Sequence, residues 1–61
     1  MNQLMKILTE DIGLSVKAAT TLIAEFGELA VKTHAMYCLF EMDQGRVKNP
    51  PAWFTASLKN N

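Results

Sequence analysis

Two side chains with reactive chemistry, His34 and Cys38, stand four residues apart near the middle of the chain. On a helix this spacing places them on one face, and a histidine beside a cysteine is the beginning of a zinc site. No other His or Cys exists, so one copy could complete the site only with carboxylates, and a dimer with a second His–Cys pair. We predict instead that His34 is packed and hydrogen-bonded, and that no metal or cofactor is bound.

Other catalytic arrangements are also incomplete. Cys38 would need a lowered pKa to act as a nucleophile, whereas its apolar neighbours favour burial. The chain has neither a Gly-rich phosphate loop nor a nucleophile elbow. The carboxylates that lie close in sequence fall near helix ends or on polar faces, where they are expected to be solvated: Glu10 with Asp11, Glu25 with Glu28, and Glu41 with Asp43. We therefore predict that the protein is not an enzyme.

A different chemistry, recognition of a partner, is suggested by the 46–54 segment, which reads RVKNPPAWF. Trp53 could stack on a base while nearby cations meet phosphates, or it could dock a protein, because Trp and Arg are enriched at interface hot spots. The structural alternative is that Trp53 and Phe54 close the core and the cations form a solvated rim. The residues after position 43 contain no acid and carry three cations: Arg46, Lys48 and Lys59.

The turn over residues 11–19 is a weaker candidate for phosphate binding. Helix-hairpin-helix DNA binders use a similar arrangement, in which turn N–H groups face a phosphate and a lysine adds charge. Lys17 would supply that charge here, although Ser15 stands where those turns have a second glycine. The structural alternative is an ordinary turn between two helices, with Gly13 as the stop of one and Ser15 as the N-cap of the next.

These residues must be positioned by helices, because apolar residues recur at helical spacing and no segment has strand periodicity. The third helix is apolar nearly all round, so it is either central to the core or shared with a partner. Met5, Met36 and Met42 are expected to fill gaps in the core. Four helices are predicted, over about Asn2 to Asp11, between Ser15 and Gly27, from Glu28 to Gln44 and from Pro50 to Leu58. Ser15 is expected to cap the second helix and Gly27 to end it, and Asn49 is expected to cap the fourth.

Length and composition set the class of protein. Sixty-one residues with 49% apolar content make one small all-α domain over residues 1–61, a compact array of three to four short helices and a candidate module of a longer protein. Six cations balance six acids, so net charge demands neither nucleic acid nor membrane. A single cysteine excludes an internal disulfide, and no apolar run approaches the roughly 20 residues that span a bilayer. A cytoplasmic protein without membrane contact is expected.

Four features of the second half form a series: an apolar helix that opens after Phe26-Gly27, the turn Gly45-Arg46-Val47-Lys48-Asn49-Pro50, the aromatic pair Trp53-Phe54 and the basic end Leu58-Lys59. The series resembles the helical module of DnaD type that ends many bacterial plasmid and phage replication-initiator proteins. The resemblance covers about two thirds of the chain, and Pro51 departs from it because the family commonly has a small residue there. It implies contact with DNA or with a helicase-loading partner.

Two functional hypotheses follow from the residues and the resemblance. The leading one is a non-enzymatic module of a DNA-replication or DNA-associated protein, which contacts DNA or a replication protein through Arg46, Lys48, Trp53, Lys59 and, as a second candidate, Lys17. The alternative is a protein–protein or self-association module, a homo-oligomer formed through the third helix at Met36, Tyr37 and Phe40. DNA binding should weaken steeply with salt, whereas apolar self-association should not.

Overall fold

The computed structural model describes residues 3–60, and over these residues the chain contains helices and turns but no strand. In order these are α1 (Gln3–Lys6), a π-helical continuation that we call the π segment (Ile7–Ile12), α2 (Val16–Phe26), α3 (Glu28–Asp43) and α4 (Pro50–Lys59). The predicted all-α array of short helices is therefore confirmed. The predicted bounds of the last three helices agree with the structure to within one residue.

Local side-chain caps begin two of the helices. At the start of α2, Ser15 Oγ accepts a hydrogen bond from the backbone N–H of Ala18 at 3.1 Å. At the start of α4, Asn49 Oδ1 accepts one from the N–H of Ala52 at 3.3 Å, and Pro50 occupies the first helical position. Both caps satisfy N–H groups that have no partner inside the helix, and both are as predicted.

Gly27 alone connects α2 with α3. Its φ of 91° and ψ of 151° lie in a region that essentially only glycine adopts. Because α3 begins at the next residue, this backbone conformation sets the direction in which α3 leaves α2. It also decides which side of α3 meets the core.

The first helix differs from the expected one. The spacing predicts an α-helix over residues 2–11, of which residue 2 lies outside the described part, but the backbone widens into the π segment. The Thr9 hydroxyl donates to the Met5 carbonyl at 2.8 Å, the acceptor that an α-helical N–H would use. At the end of the segment, the Gly13 N–H donates to the Leu8 carbonyl five residues back, at 3.1 Å, which is the π-helical pattern. The predicted first helix is therefore present over residues 3–12, but its second half has π-helical geometry.

The core lies around α3, which packs against α2, α4 and the π segment. Phe54 is its largest fully buried side chain, so the structural interpretation of Phe54 is confirmed. No polar or charged residue of the described part is buried. Nor does that part contain a helix long and apolar enough to cross a membrane. The buried side chains are Leu4, Leu8, Ile12, Leu14, Ala19, Leu22, Val31, Ala35, Cys38, Phe54 and Leu58.

Candidate interaction surfaces

Helix α3 is apolar on two opposite sides. Its inner side places Val31, Ala35 and Cys38 in the core, each with 0% exposure. At about 100° per residue, Leu29, Met36 and Phe40 fall in one line along the helix, about 180° from Cys38. Four large apolar side chains are exposed along this line and beside it, and we call them the outer face: Leu29 (78% exposed), Met36 (43%), Tyr37 (53%) and Phe40 (55%).

Met36 is exposed rather than packed in the core, and its position accounts for the apolar residues that surround α3. Met5 and Met42 are half-buried and pack against the core, as predicted, but Met36 points to solvent, so it was wrong to expect it in a core gap. Its position follows from the helical period, because Met36 lies seven residues after Leu29 and shares its side of the helix. The apolar residues all round α3 are therefore divided between the core and an exposed surface.

An aromatic pair joins the outer face to α4. The rings of Tyr37 and Trp53 have their centroids 5.5 Å apart and are tilted by 54°, which is within the range of attractive aromatic pairs. Trp53 is half-buried and also packs against the core. Tyr37 from the self-association set and Trp53 from the nucleic-acid set thus belong to one surface, which crosses the seam between α3 and α4.

Arg46 is engaged by an acid that precedes it in the chain. Its Nε and Nη2 donate to the two carboxylate oxygens of Glu41 at 2.8 and 2.9 Å, and its backbone N–H donates to the Glu41 carbonyl at 3.0 Å. The hydrogen bond from Arg46, with help from its charge and against some desolvation, lowers the pKa of Glu41. This is the one ion pair within residues 3–60. A count of acids after position 43 overlooks it because Glu41 lies on α3.

The other candidate cations remain exposed and without an ion pair to any described residue. Lys17 and Lys59 line the same open groove between α2 and α4, of about 390 Å³, and Glu25 lines it too. Lys48 lies in the link that precedes α4. The structure therefore brings Lys17 and Lys59 to one groove, whose charge Glu25 partly offsets, while Trp53 lies against Tyr37.

The turn before α2 uses three of its N–H groups inside the chain, whereas those of Val16 and Lys17 at the start of α2 donate to no described acceptor. The N–H groups of Gly13 and Leu14 both donate to the Leu8 carbonyl, at 3.1 and 2.8 Å, and the N–H of Ala18 donates to Ser15 Oγ. A phosphate-binding turn needs N–H groups that point outward without partners. The hydrogen bonds at this turn are those of a structural connection between two helices.

His34 links α3 to α4. Its Nδ1 lies 2.7 Å from Ser57 Oγ, and both residues line an open groove of about 540 Å³ with Thr33, Tyr37 and Asn60. A serine beside a histidine is half of a nucleophile–base arrangement, which also needs a group that orients the base. No described carboxylate bonds to His34. The contact is therefore a hydrogen bond between helices, and the packed, hydrogen-bonded His34 is confirmed.

Cys38 is fully buried, and burial raises the pKa of its thiol. A reactive cysteine needs the opposite shift, so its environment is that of a small apolar core residue. Although His34 and Cys38 do belong to α3, no three described His, Cys, Asp or Glu side chains are grouped so that they could hold a metal ion.

Comparison with family models, with curated proteins and with solved structures returned no match. The resemblance to DnaD-type modules therefore stays a prediction.

Two residues that matter to these surfaces were not predicted as site residues. Leu29 is the most exposed of the large apolar side chains, and its spacing to Met36 and Phe40 was a readable signal, because steps of seven and four residues keep to one side of a helix. The ion pair of Glu41 could not be predicted from spacing. Its partner Arg46 lies five residues later, beyond the end of α3, and reaches Glu41 only because the chain turns at Gly45.

Proposed function

We propose that this chain is a non-enzymatic interaction module that self-associates through the outer face of α3. The observation that carries the proposal is the contrast between the two sides of one helix: the inner side is fully buried, and the opposite side exposes Leu29, Met36, Tyr37 and Phe40. Single exposed apolar residues need no explanation, whereas the largest contiguous apolar patch of a monomer, typically about 300–600 Å², is often a functional surface. Aromatic residues and Met are also enriched in protein interfaces.

The size of the outer face sets the expected strength of association. An aromatic side chain that is fully buried removes about 150–250 Å² from solvent, so four large side chains exposed by about half present on the order of 400 Å². A standard stable interface buries about 800 Å² per partner. The outer face with its rim therefore supports a reversible dimer whose population depends on concentration.

The partner that we propose for the outer face is a second copy of the same chain. Two copies related by a two-fold axis cover the same face on both chains at once. Each α3 then gains an apolar neighbour on its only uncovered apolar side among the described residues. A chain of this length buries only about 60% of its unfolded surface, so dimerisation also adds needed stability.

The test is the mass in solution across a concentration series, measured by sedimentation equilibrium at moderate salt. The wild-type chain is expected to shift from monomer to dimer as its concentration rises. A double variant, Leu29→Lys with Phe40→Lys, is expected to stay monomeric while its helical circular dichroism is retained, because both residues are exposed. Added salt should leave the wild-type dimer largely intact, since apolar contact is not screened.

Val16 offers a matched control. It is 65% exposed and begins α2, whereas Leu29 is 78% exposed in the first turn of α3. Val16→Lys therefore makes the same kind of change at a similar helical position, but away from the outer face. A wild-type chain that stays monomeric throughout, or an equal loss of dimer in Val16→Lys, would overturn the proposal.

A second candidate function is contact with DNA or a replication partner, in a cytoplasmic DNA-associated protein. Its support is narrower: Lys17, Lys48 and Lys59 are exposed without ion-pair partners among the described residues, and Trp53 keeps part of its ring accessible. Arg46 contributes less than expected, because both carboxylate oxygens of Glu41 already accept hydrogen bonds from it.

Fluorescence anisotropy with single-stranded and duplex oligonucleotides at low salt tests this candidate. If it holds, Lys48→Glu and Lys59→Glu weaken binding, log K falls linearly with log salt, and Glu41→Gln strengthens binding by releasing Arg46. Arg46→Glu alone is a poor test, since it also breaks the contact with Glu41. Binding that is absent at low salt, or that none of these changes alters, would rule this candidate out.

A further inference from the structure

The outer face has two unlike flanks. At about 100° per residue, Lys32 and Asp43 fall within about 60° on one side of the line from Leu29 to Phe40, and Thr33 falls on the other side. Lys32 and Asp43 are exposed and form no ion pair with a described residue. One flank thus carries an unpaired cation near the start of α3 and an unpaired anion at its end, whereas the charges beside Tyr37 on the other flank, Glu41 and Arg46, are paired with each other.

We propose that two copies pair through the outer face with their α3 helices antiparallel, and that Lys32 of each copy forms an ion pair with Asp43 of the other. This inference rests on the proposed self-association and adds the orientation of the partner. It gives the chain a specific two-fold dimer rather than a loose apolar contact.

Symmetry decides between the two orientations. A two-fold axis that lies in the interface and crosses the helices reverses their direction and sets each flank against the same flank of the second copy. The start of one charged flank then meets the end of the other, so opposite charges from Lys32 and Asp43 meet twice. An axis parallel to the helices would set Lys32 and Asp43 against the flank where Glu41 and Arg46 are already paired with each other, so their charges would find no free partner. Glu28 lies further round, about 100° from the line, outside the contact.

Side-chain direction favours the same pairing. Helical side chains lean toward the N-terminus of their own helix. In the antiparallel dimer, Lys32 therefore leans toward the end of the second α3, and Asp43 of that copy leans back toward it. A register that sets Leu29 opposite Phe40 of the second copy lets the two most exposed side chains of the outer face cover each other. It offsets Lys32 from Asp43 of that copy by six residues, about 9 Å along the axis, and the two side chains lean toward each other across this offset.

Charge exchange tests the orientation directly. Lys32→Glu and Asp43→Lys are each expected to weaken dimerisation roughly tenfold, because each places two like-charge pairs in the homodimer. An equimolar mixture of the two single variants should recover the wild-type mass. In the mixed dimer the new glutamate faces the new lysine, and the native Asp43 faces the native Lys32. The double variant should recover as well.

Lys17→Glu is the control, because it makes the same charge change at an exposed lysine on α2, and it should leave the dimer unchanged. A mixture that dimerises no better than either single variant would overturn the antiparallel pairing. If the wild-type dimer were at the same time lost on Leu29→Lys with Phe40→Lys, self-association through the outer face would stand. A monomeric wild-type chain would overturn both proposals.

Discussion

The two sides of α3 have nearly the same amino-acid character and opposite surroundings. The inner side presents Val31, Ala35 and Cys38, all fully buried; the outer side presents Leu29, Met36 and Phe40, all exposed. The inner residues are small, which allows α2, α4 and the π segment to approach the helix closely. The outer residues are large and reach into solvent, where nothing described covers them.

Hydrophobicity alone does not place a residue in a core, because side-chain size and the available neighbours decide which apolar side is covered. The other elements described over residues 3–60 cover only one side of α3, the longest helix among them. The remaining apolar side costs solubility unless it has a use, and large side chains, aromatics among them, are the kind that interfaces employ. The comparison therefore supports a surface retained for a partner.

The largest effect is expected when the same change is made on both sides of α3. Val31→Lys should unfold the domain, because an unpaired charge in the core costs about 4 kcal/mol or more, and a chain of this size has roughly 3–9 kcal/mol of stability. Leu29→Lys, two residues earlier, should change the free energy of unfolding by no more than about 0.5 kcal/mol. Chemical denaturation followed by circular dichroism measures both.

The comparison must be made at a concentration where the wild-type chain is monomeric. Otherwise the loss of a dimer would itself lower the apparent stability of Leu29→Lys. Similar destabilisation by the two substitutions under monomeric conditions would show that the outer face also supports the fold of a single chain.

Much of the fold could be predicted from local signals. Ser15 and Asn49 act as caps, and Gly27 separates two helices, because these devices depend only on neighbouring residues. The π segment could not be predicted, because apolar spacing indicates a helix without distinguishing α-helical from π-helical hydrogen bonding. The hydroxyl bond of Thr9 is no signal for it either, since Thr33 and Thr55 make the same bond inside α3 and α4.

The candidate surfaces were less predictable than the helices. The helical period places Met36 and Phe40 opposite Cys38, with Tyr37 beside them, but whether another helix covered them depended on how the chain packs. Arg46 and Trp53 are close in sequence and were predicted to act together. In the fold, Arg46 forms an ion pair with Glu41, and the Trp53 ring packs against Tyr37. Proximity in sequence is a poor guide wherever a turn intervenes.

A smaller effect is expected at the start of α3, where Gly27 sets which side of the helix faces inward. Gly27→Ala should lower the free energy of unfolding by about 2 kcal/mol, because an L-residue is strained at this φ and ψ. The cost should come from the backbone alone, since a Cβ at this position would have no heavy atom within 4 Å. Thermal or chemical denaturation of the monomer measures it.

D-alanine at position 27, introduced by chemical synthesis, is the matched control. It adds the same methyl group but prefers positive φ, so it should retain most of the stability that L-alanine loses. Equal losses for the two enantiomers would mean that steric crowding, rather than backbone conformation, requires glycine at this position.

The smallest effect is expected at the other end of α3, where Glu41 and Arg46 close the helix. The pKa of Glu41 is lowered in the folded chain, chiefly by the hydrogen bond from Arg46. Its contribution to stability is therefore complete above the ordinary glutamate pKa of 4.5, and it is lost as the pH falls below that value through the folded pKa. Glu41→Gln should remove this part of the acid-induced loss of stability.

A double-mutant cycle separates the pair from general acid effects. Glu41→Gln, Arg46→Gln and the double variant are compared by denaturation from neutral to acid pH. If the pair acts as a unit, the double variant loses little more than either single variant at neutral pH, and all three have the same shallower acid dependence. Additive losses would mean that the two residues act separately. Because the pair lies off the line of the outer face, none of the three variants should change dimerisation, which keeps the closure of the helix distinct from the use of its exposed side.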